Sequence, residues 1–195
     1  MLAHPITPTL IRHAVATHAR RPALEDGGAV PLISAAVLVP IVREHHGLSL
    51  LLTRRTETVE THKGQIAFPG GMVDGADRDR VHTAVREAEE ELGIPPASVE
   101  MLGMLDDLTT PTGFCITPVV GLLSHLPPLQ LSPGEVAEAF MVPLAFFADP
   151  GNAEMERRSI RGAVREVWTY RYGGHVIWGA TGTIIHRFMD ILAAP

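Results

Sequence analysis

The sequence predicts a mixed α and β domain in which helices and strands do not alternate in a regular βαβ order. Three observations carry that reading. Two runs of aliphatic and β-branched residues, 35–42 and 48–53, flank a short polar break. A helix-period segment, Arg80–Leu92, follows a glycine-rich turn, and a second amphipathic helix, 181–192, comes near the end of the chain.

Composition narrows the possibilities. A chain of 195 residues with 46% hydrophobic and 19% charged content is expected to fold as one compact domain. Residues 1–33 read as a lead-in packing on a main domain of residues 34–195. The formal net charge is −6 with no long basic run, which argues against duplex nucleic acid as a partner. The one cysteine, Cys115, allows no intramolecular disulfide and lies in an apolar run, so it reads as core in a reducing, cytoplasmic setting. No basic-then-apolar leader and no bilayer-length apolar run is visible, so no membrane association is expected. The Ala-Ala-Pro end carries no lipidation or peroxisomal signal.

A short helix is expected around residues 10–18, then a Pro- and Gly-containing linker through Pro31. The runs 35–42 and 48–53 form a hairpin around residues 44–47. Residues 54–65 are a loop leading to a short strand at 66–68, after which Pro69-Gly70-Gly71 forces a turn. In Arg80–Leu92 the residues Val81, Val85, Ala88 and Leu92 form one apolar stripe, with Glu87, Glu90 and Glu91 on the opposite side. Gly93 ends that helix and Pro95 prevents its continuation. Strands follow at 99–105 and Phe114–Leu123, separated by a loop at 109–113. Residues 133–140 read as a helix, and Val142-Pro143-Leu144 leads into another short one. Residues 166–172 and 175–178 form a hairpin around Gly173-Gly174. In the 181–192 helix Ile184, Ile185, Phe188 and Leu192 point inward.

The chemistry concentrates in Arg86-Glu87-Ala88-Glu89-Glu90-Glu91-Leu92, which places four carboxylates within five residues. A solvated helix face is the plain explanation, but like charges at i, i+3 and i, i+4 weaken a helix. They also stand near its C-terminus, where the macrodipole favours cations. A hard divalent cation with oxygen ligands would reverse both penalties. Glu87 and Glu91, one turn apart, can reach one ion.

These residues resemble a known motif. Gly71, Asp77, Arg86-Glu87-Ala88, Glu90-Glu91, Gly93 and Ile94 are similar to the Nudix box, with three departures. Asp77 stands for the first glutamate, the gap from there to Arg86 is one residue longer, and the small Ala88 occupies a bulky aliphatic position. Upstream, Leu51-Leu52-Thr53-x-Arg55-Thr56 and His62-x-Gly64-Gln65-Ile66-Ala67-Phe68-Pro69-Gly70-Gly71 resemble the signature of coenzyme A diphosphatases, where the longer box with Asp also occurs. Here Glu60 stands where that signature has arginine, and Val59 where it has leucine.

The resemblance implies an α/β/α sandwich with a mixed central sheet, a Mg²⁺ or Mn²⁺ cofactor, and a small-molecule diphosphate substrate. It implies metal ligands Glu87, Glu90 and Glu91 with a Gly70 or Gly71 carbonyl, and Arg86 orienting a glutamate. Arg54, Arg55, His62, Gln65 and Gly71, with Lys63 as the weakest member, are the expected substrate contacts. The base is left among Glu87, Glu135 and Glu138, and a homodimer is compatible with the family. The implied reaction cleaves coenzyme A or its thioesters to 4′-phosphopantetheine (or its acyl form) and adenosine 3′,5′-bisphosphate. Its rivals are hydrolysis of another nucleoside diphosphate derivative, such as ADP-ribose or NADH, and a binding domain without turnover. His45-His46 reads as a polar loop and no zinc site, because adjacent histidines point apart.

Overall fold

A computed structural model describes residues 5–23, 32–57 and 63–194. Helix α1 (Pro8–Thr17) is capped by the Thr7 side chain and buries Ile11, Ala14 and Val15 in the main core. Strands β1 (Ile33–Glu44) and β2 (Gly47–Arg55) form the expected hairpin, with Glu44 opposite Gly47. β3 (Ile66–Ala67) and β4 (Gly70–Met72) precede helix α2 (Arg80–Leu92). β5 (Val99–Met104), β6 (Leu108–Thr109), β7 (Phe114–Leu123) and β8 (Val136–Pro143) lead to a short α3 (Leu144–Ala148). A smaller sheet of β9 (Ala153–Ile160), β10 (Ala163–Tyr172) and β11 (His175–Ile177) is followed by α4 (Gly179–Ala193).

The central sheet runs β3-β2-β1-β7-β5, with β4 on β1, β6 on β7 and β8 on β2. It is mixed, because β1 and β7 pair in parallel while the other pairs are antiparallel. Period-2 alternation sorts the two faces. Ala36 and Leu38 of β1, with Val119 of β7, pack against Ala84 and Ala88 of α2. Val39, Ile41, Leu50, Leu52 and Val120 face the other way, onto α1, α3, α4 and the smaller sheet. This is the expected α/β/α layering. Ile184, Ile185, Phe188 and Leu192 of α4 are all buried there, as their spacing predicts. Among the described residues no helix is long and apolar enough to cross a membrane.

Three expectations are corrected. Residues 133–140 do not form a helix: from Val136 onward they enter β8, which pairs along β2 from Ser49 to Arg55. The helix-favouring composition of Glu135–Phe140 loses to an edge of β2 whose N–H and C=O groups need partners. Pro69-Gly70-Gly71 is not a tight turn either. Gly70 and Gly71 are extended and pair with Val37 and Ala36 of β1. Glycine is needed because a Cβ on Gly70 would collide with the β1 backbone at Ala36 and Val37. Finally, the buried side of α2 is Thr83, Ala84, Ala88, Glu91 and Leu92, so Glu91 turns inward. The small Ala84 and Ala88 let the helix settle closely on the sheet, with Val81 packed half-buried against the same cluster and Val85 also only half-buried.

Candidate active site

Helix α2 is held at both ends. The Asp79 side chain caps its start, accepting from the His82 N–H at 2.8 Å, and Gly93 ends it in the left-handed conformation (φ 68°). Its last carbonyls are occupied by the loop that follows β7. The Gln130 N–H donates to Leu92 O and the Ser132 N–H to Glu91 O, each at 2.9 Å. The same loop is tied to the end of β2, where Thr56 N–H donates to Glu135 O at 2.9 Å. A bulge between Arg54 and Arg55 shifts the β2–β8 register at this point. Such irregularities re-aim the side chains beside them.

Two carboxylates lie between α2 and β4. Glu91 is 3% exposed. Burial pushes its pKa up to about 8; Arg55 and the Gly70 N–H oppose the shift, while Glu135 and Glu87 reinforce it by repulsion. Burial also raises Glu87, against the hydrogen bond from Arg86 and with added repulsion from Glu90 and Glu135. Gly71 lies directly beneath Glu87, and a Cβ there would overlap its carboxylate. Glu90 stands at the rim, its side chain 60% exposed.

Arg86 organises this group. Its Nε and Nη2 each donate to Asp77 at 3.0 Å, and its Nη1 donates to Glu87 Oε1 at 2.8 Å and Glu90 Oε2 at 3.1 Å. Asp77 is almost wholly buried and also accepts from Thr83 Oγ1 and the Asp74 N–H, both at 2.9 Å. The Arg86 guanidinium holds the Asp77 carboxyl well below the usual range. His82 Nδ1 lies 3.0 Å from Asp77, close enough for an ion pair but poorly aligned for a hydrogen bond. The aspartate at this place in the motif thus anchors the arginine that steadies the glutamates. Spacing alone does not reveal that role.

The two arginines ending β2 go to different partners. Arg55 Nη1 lies 3.9 Å from Glu91 Oε1, within the carboxylate group. Arg54 donates from Nε to Glu138 at 3.1 Å across the β2–β8 pair. His175, stacked on Phe140 with ring centroids 3.9 Å apart, approaches the other Glu138 oxygen at 3.5 Å. This Arg54–Glu138–His175 cluster has no signal in the sequence, because its members come from β2, β8 and β11. Gln65 is half-buried, with its carbonyl accepting from the Arg55 N–H at 3.0 Å, and Lys63 is exposed. His62 lies outside the described residues.

Among the described residues no three acidic, histidine or cysteine side chains already converge as a metal-binding group. Arg86 holds Glu87 and Glu90 in its place. The donor set nevertheless fits a hard dication: buried, mutually repelling carboxylate oxygens beside a glycine whose missing Cβ leaves room against Glu87. Glu87 and Glu91 could hold such an ion, with Glu90 able to join from the rim.

A model of the NUDIX domain family matches residues 32–163. The uncharacterized Nudix hydrolase NudL of Photorhabdus laumondii is 45% identical over 153 residues, covering 78% of this chain and 81% of that protein. NudL of Escherichia coli K12 is 42% identical over 153 residues, covering 78% and 79%. Among solved structures, a C. elegans Ap4A hydrolase binary complex aligns with TM-score 0.50 at 21% identity, over 57% of this chain and 80% of that one. The M. smegmatis Nudix hydrolase RenU aligns with TM-score 0.51 at 21% identity, over 60% and 74%. At that identity the two structures establish a shared fold and nothing finer.

Proposed function

The chain belongs to the Nudix hydrolase family, enzymes acting on phosphorus-containing anhydrides, and from that premise we propose that its substrate is coenzyme A or a coenzyme A thioester. The observation that carries this reading is the union of two motifs at one place. The run resembling the coenzyme A diphosphatase signature supplies Arg55, 3.9 Å from Glu91, and Gly71, pressed against Glu87. Products would be 4′-phosphopantetheine, or its acyl form, and adenosine 3′,5′-bisphosphate.

Nudix hydrolases generally use divalent ions such as Mg²⁺ or Mn²⁺, and here Glu87, Glu91 and Glu90 would hold them, with a Gly70 carbonyl as a further ligand. A bound dication would neutralise the bridging phosphates and acidify the attacking water. Asp77 fixes Arg86, and Arg86 in turn sets the orientation of Glu87 and Glu90. Gly71, lacking a Cβ, leaves the room that the Glu87 carboxylate takes up. Arg55, beside Glu91, binds phosphate oxygens; Arg54, already committed to Glu138, is the weaker substrate contact.

Glu135 is the better base among the three left open. It repels both Glu87 and Glu91 electrostatically and is exposed, whereas Glu138 is committed to Arg54 and His175. Glu135→Gln is expected to lower kcat by about 10²- to 10⁴-fold with little change in Mn²⁺ affinity. Steady-state kinetics beside calorimetric metal titration checks this, and an unchanged kcat rules Glu135 out.

The substrate assignment is tested by comparing kcat/KM for coenzyme A, dephospho-coenzyme A and ADP-ribose. Coenzyme A is expected to be cleaved best. If removing its 3′-phosphate leaves the rate unchanged or raises it, another nucleoside diphosphate derivative is the substrate.

A further inference from the structure

We infer that Arg55 is an exchangeable counter-ion, paired with Glu91 until a dication takes that carboxylate and then turned to the oxygens of the diphosphate. The inference rests on the metal role proposed above for Glu91 and adds how metal and substrate are coupled.

Arg55 differs from the other arginines around the site. Arg86 makes hydrogen bonds through all three of its guanidinium nitrogens, and Arg54 donates to Glu138. Arg55 stands 3.9 Å from Glu91, an ion pair too long for a hydrogen bond. Its Nε is buried and, among the described residues, has no hydrogen-bond partner. A buried donor left unmade is costly, and such groups commonly mark the place of a missing water, ion or ligand. A guanidinium donor calls for an acceptor, so a cation cannot satisfy it, whereas a phosphoryl oxygen can. The planar fork suits phosphate in particular.

Glu91 shows the other half of the arrangement. It is nearly buried, repelled by Glu87 and Glu135, and among the described residues Arg55 is the cation in ion-pair range of it. A dication bound to Glu91 would remove the attraction holding Arg55 and replace it with repulsion. The displaced guanidinium is then free to turn to the anionic substrate. Metal and diphosphate are thereby made to bind cooperatively through one side chain, beyond the coupling from metal–phosphate contact itself.

Calorimetry on the full chain tests this, with Mn²⁺ alone and then with imidodiphosphate titrated onto Mn²⁺-saturated protein. Arg55→Met is expected to bind Mn²⁺ about tenfold more tightly than wild type, because a competing cation has gone. The same variant is expected to bind imidodiphosphate at least about tenfold more weakly. Arg55→Lys should keep wild-type Mn²⁺ affinity, since the charge remains, without recovering imidodiphosphate affinity, since the fork does not. Cooperative melting of both variants certifies their fold. Mn²⁺ affinity in Arg55→Met no higher than in wild type, or unaltered imidodiphosphate binding, overturns the exchange alone. Wild-type protein that takes up no Mn²⁺ overturns the metal role of Glu91 together with the exchange.

Discussion

Glu91→Gln is expected to lower metal-dependent hydrolysis by at least about a hundredfold while making the metal-free protein more stable at alkaline pH. The two effects have one cause. Glu91 is buried with its charge incompletely compensated, so folding favours its protonated form. A carboxyl whose pKa is higher folded than unfolded contributes stability that is fully present below the unfolded pKa. That contribution is lost as pH rises through the folded value. For Glu91 the window runs from about 4.5 to about 8, so the metal-free wild type should weaken across it by on the order of a few kcal/mol. Glutamine keeps the shape and an acceptor for the Gly70 N–H but has no proton to lose, so the slope should flatten. Thermal unfolding in chelator at pH 6 and pH 8.5 reads this, with hydrolysis measured in parallel at saturating Mg²⁺. Retained hydrolysis in the variant would show that Glu91 is not a ligand.

Asp77→Ala is expected to lower Tm by about 6–12 °C, corresponding to about 3 kcal/mol, and to reduce activity as well. Removing the aspartate leaves the Arg86 guanidinium without the two hydrogen bonds that hold it and the Asp74 N–H without its acceptor, while Thr83 Oγ1 keeps only the Asp79 carbonyl at 3.3 Å. Arg86 is a quarter exposed, so water recovers part of the loss and the lower end of the range for a broken buried pair applies. With its anchor gone, Arg86 no longer aims Nη1 at Glu87 and Glu90, and the glutamates lose their common orientation. Asp77→Asn keeps acceptors for Thr83 and the Asp74 N–H and should fall between wild type and Asp77→Ala. The pH signature is opposite to that of Glu91. Asp77 is depressed in the fold, so its contribution is present above the unfolded carboxyl pKa and disappears only as pH falls through the folded value. The Tm deficit of Asp77→Ala should therefore be constant from pH 6 to 8. A variant that melts like wild type would refute the anchoring role.

Several elements were legible from local chemistry. The β1–β2 hairpin follows from two aliphatic runs around a polar break. The bounds of α2 follow from its periodicity and Gly93, and the inward face of α4 from its apolar spacing. Others were not. β9 is Ala-Glu-Met-Glu-Arg-Arg-Ser-Ile, mostly exposed on both faces, so it carries no alternation to read. It is a strand because β10 pairs with it residue by residue from Ala163 to Tyr170. Residues 133–140 read as a helix because Glu and Ala favour one locally, and the open edge of β2 overrides that preference.

Residue order by itself determined which side chains carry the chemistry: the acidic run at Glu87–Glu91, the adjacent arginines at 54 and 55, and the paired glycines at 70 and 71. These depend only on residue type and spacing along one chain. Tertiary structure decided how they are used. It turned Glu91 into the interior, set Gly71 beneath Glu87, made Asp77 the anchor of Arg86, and sent Arg54 and Arg55 to different partners. The physical reason is that burial and charge compensation depend on neighbours brought from distant strands and loops, and no local pattern in the chain encodes those neighbours.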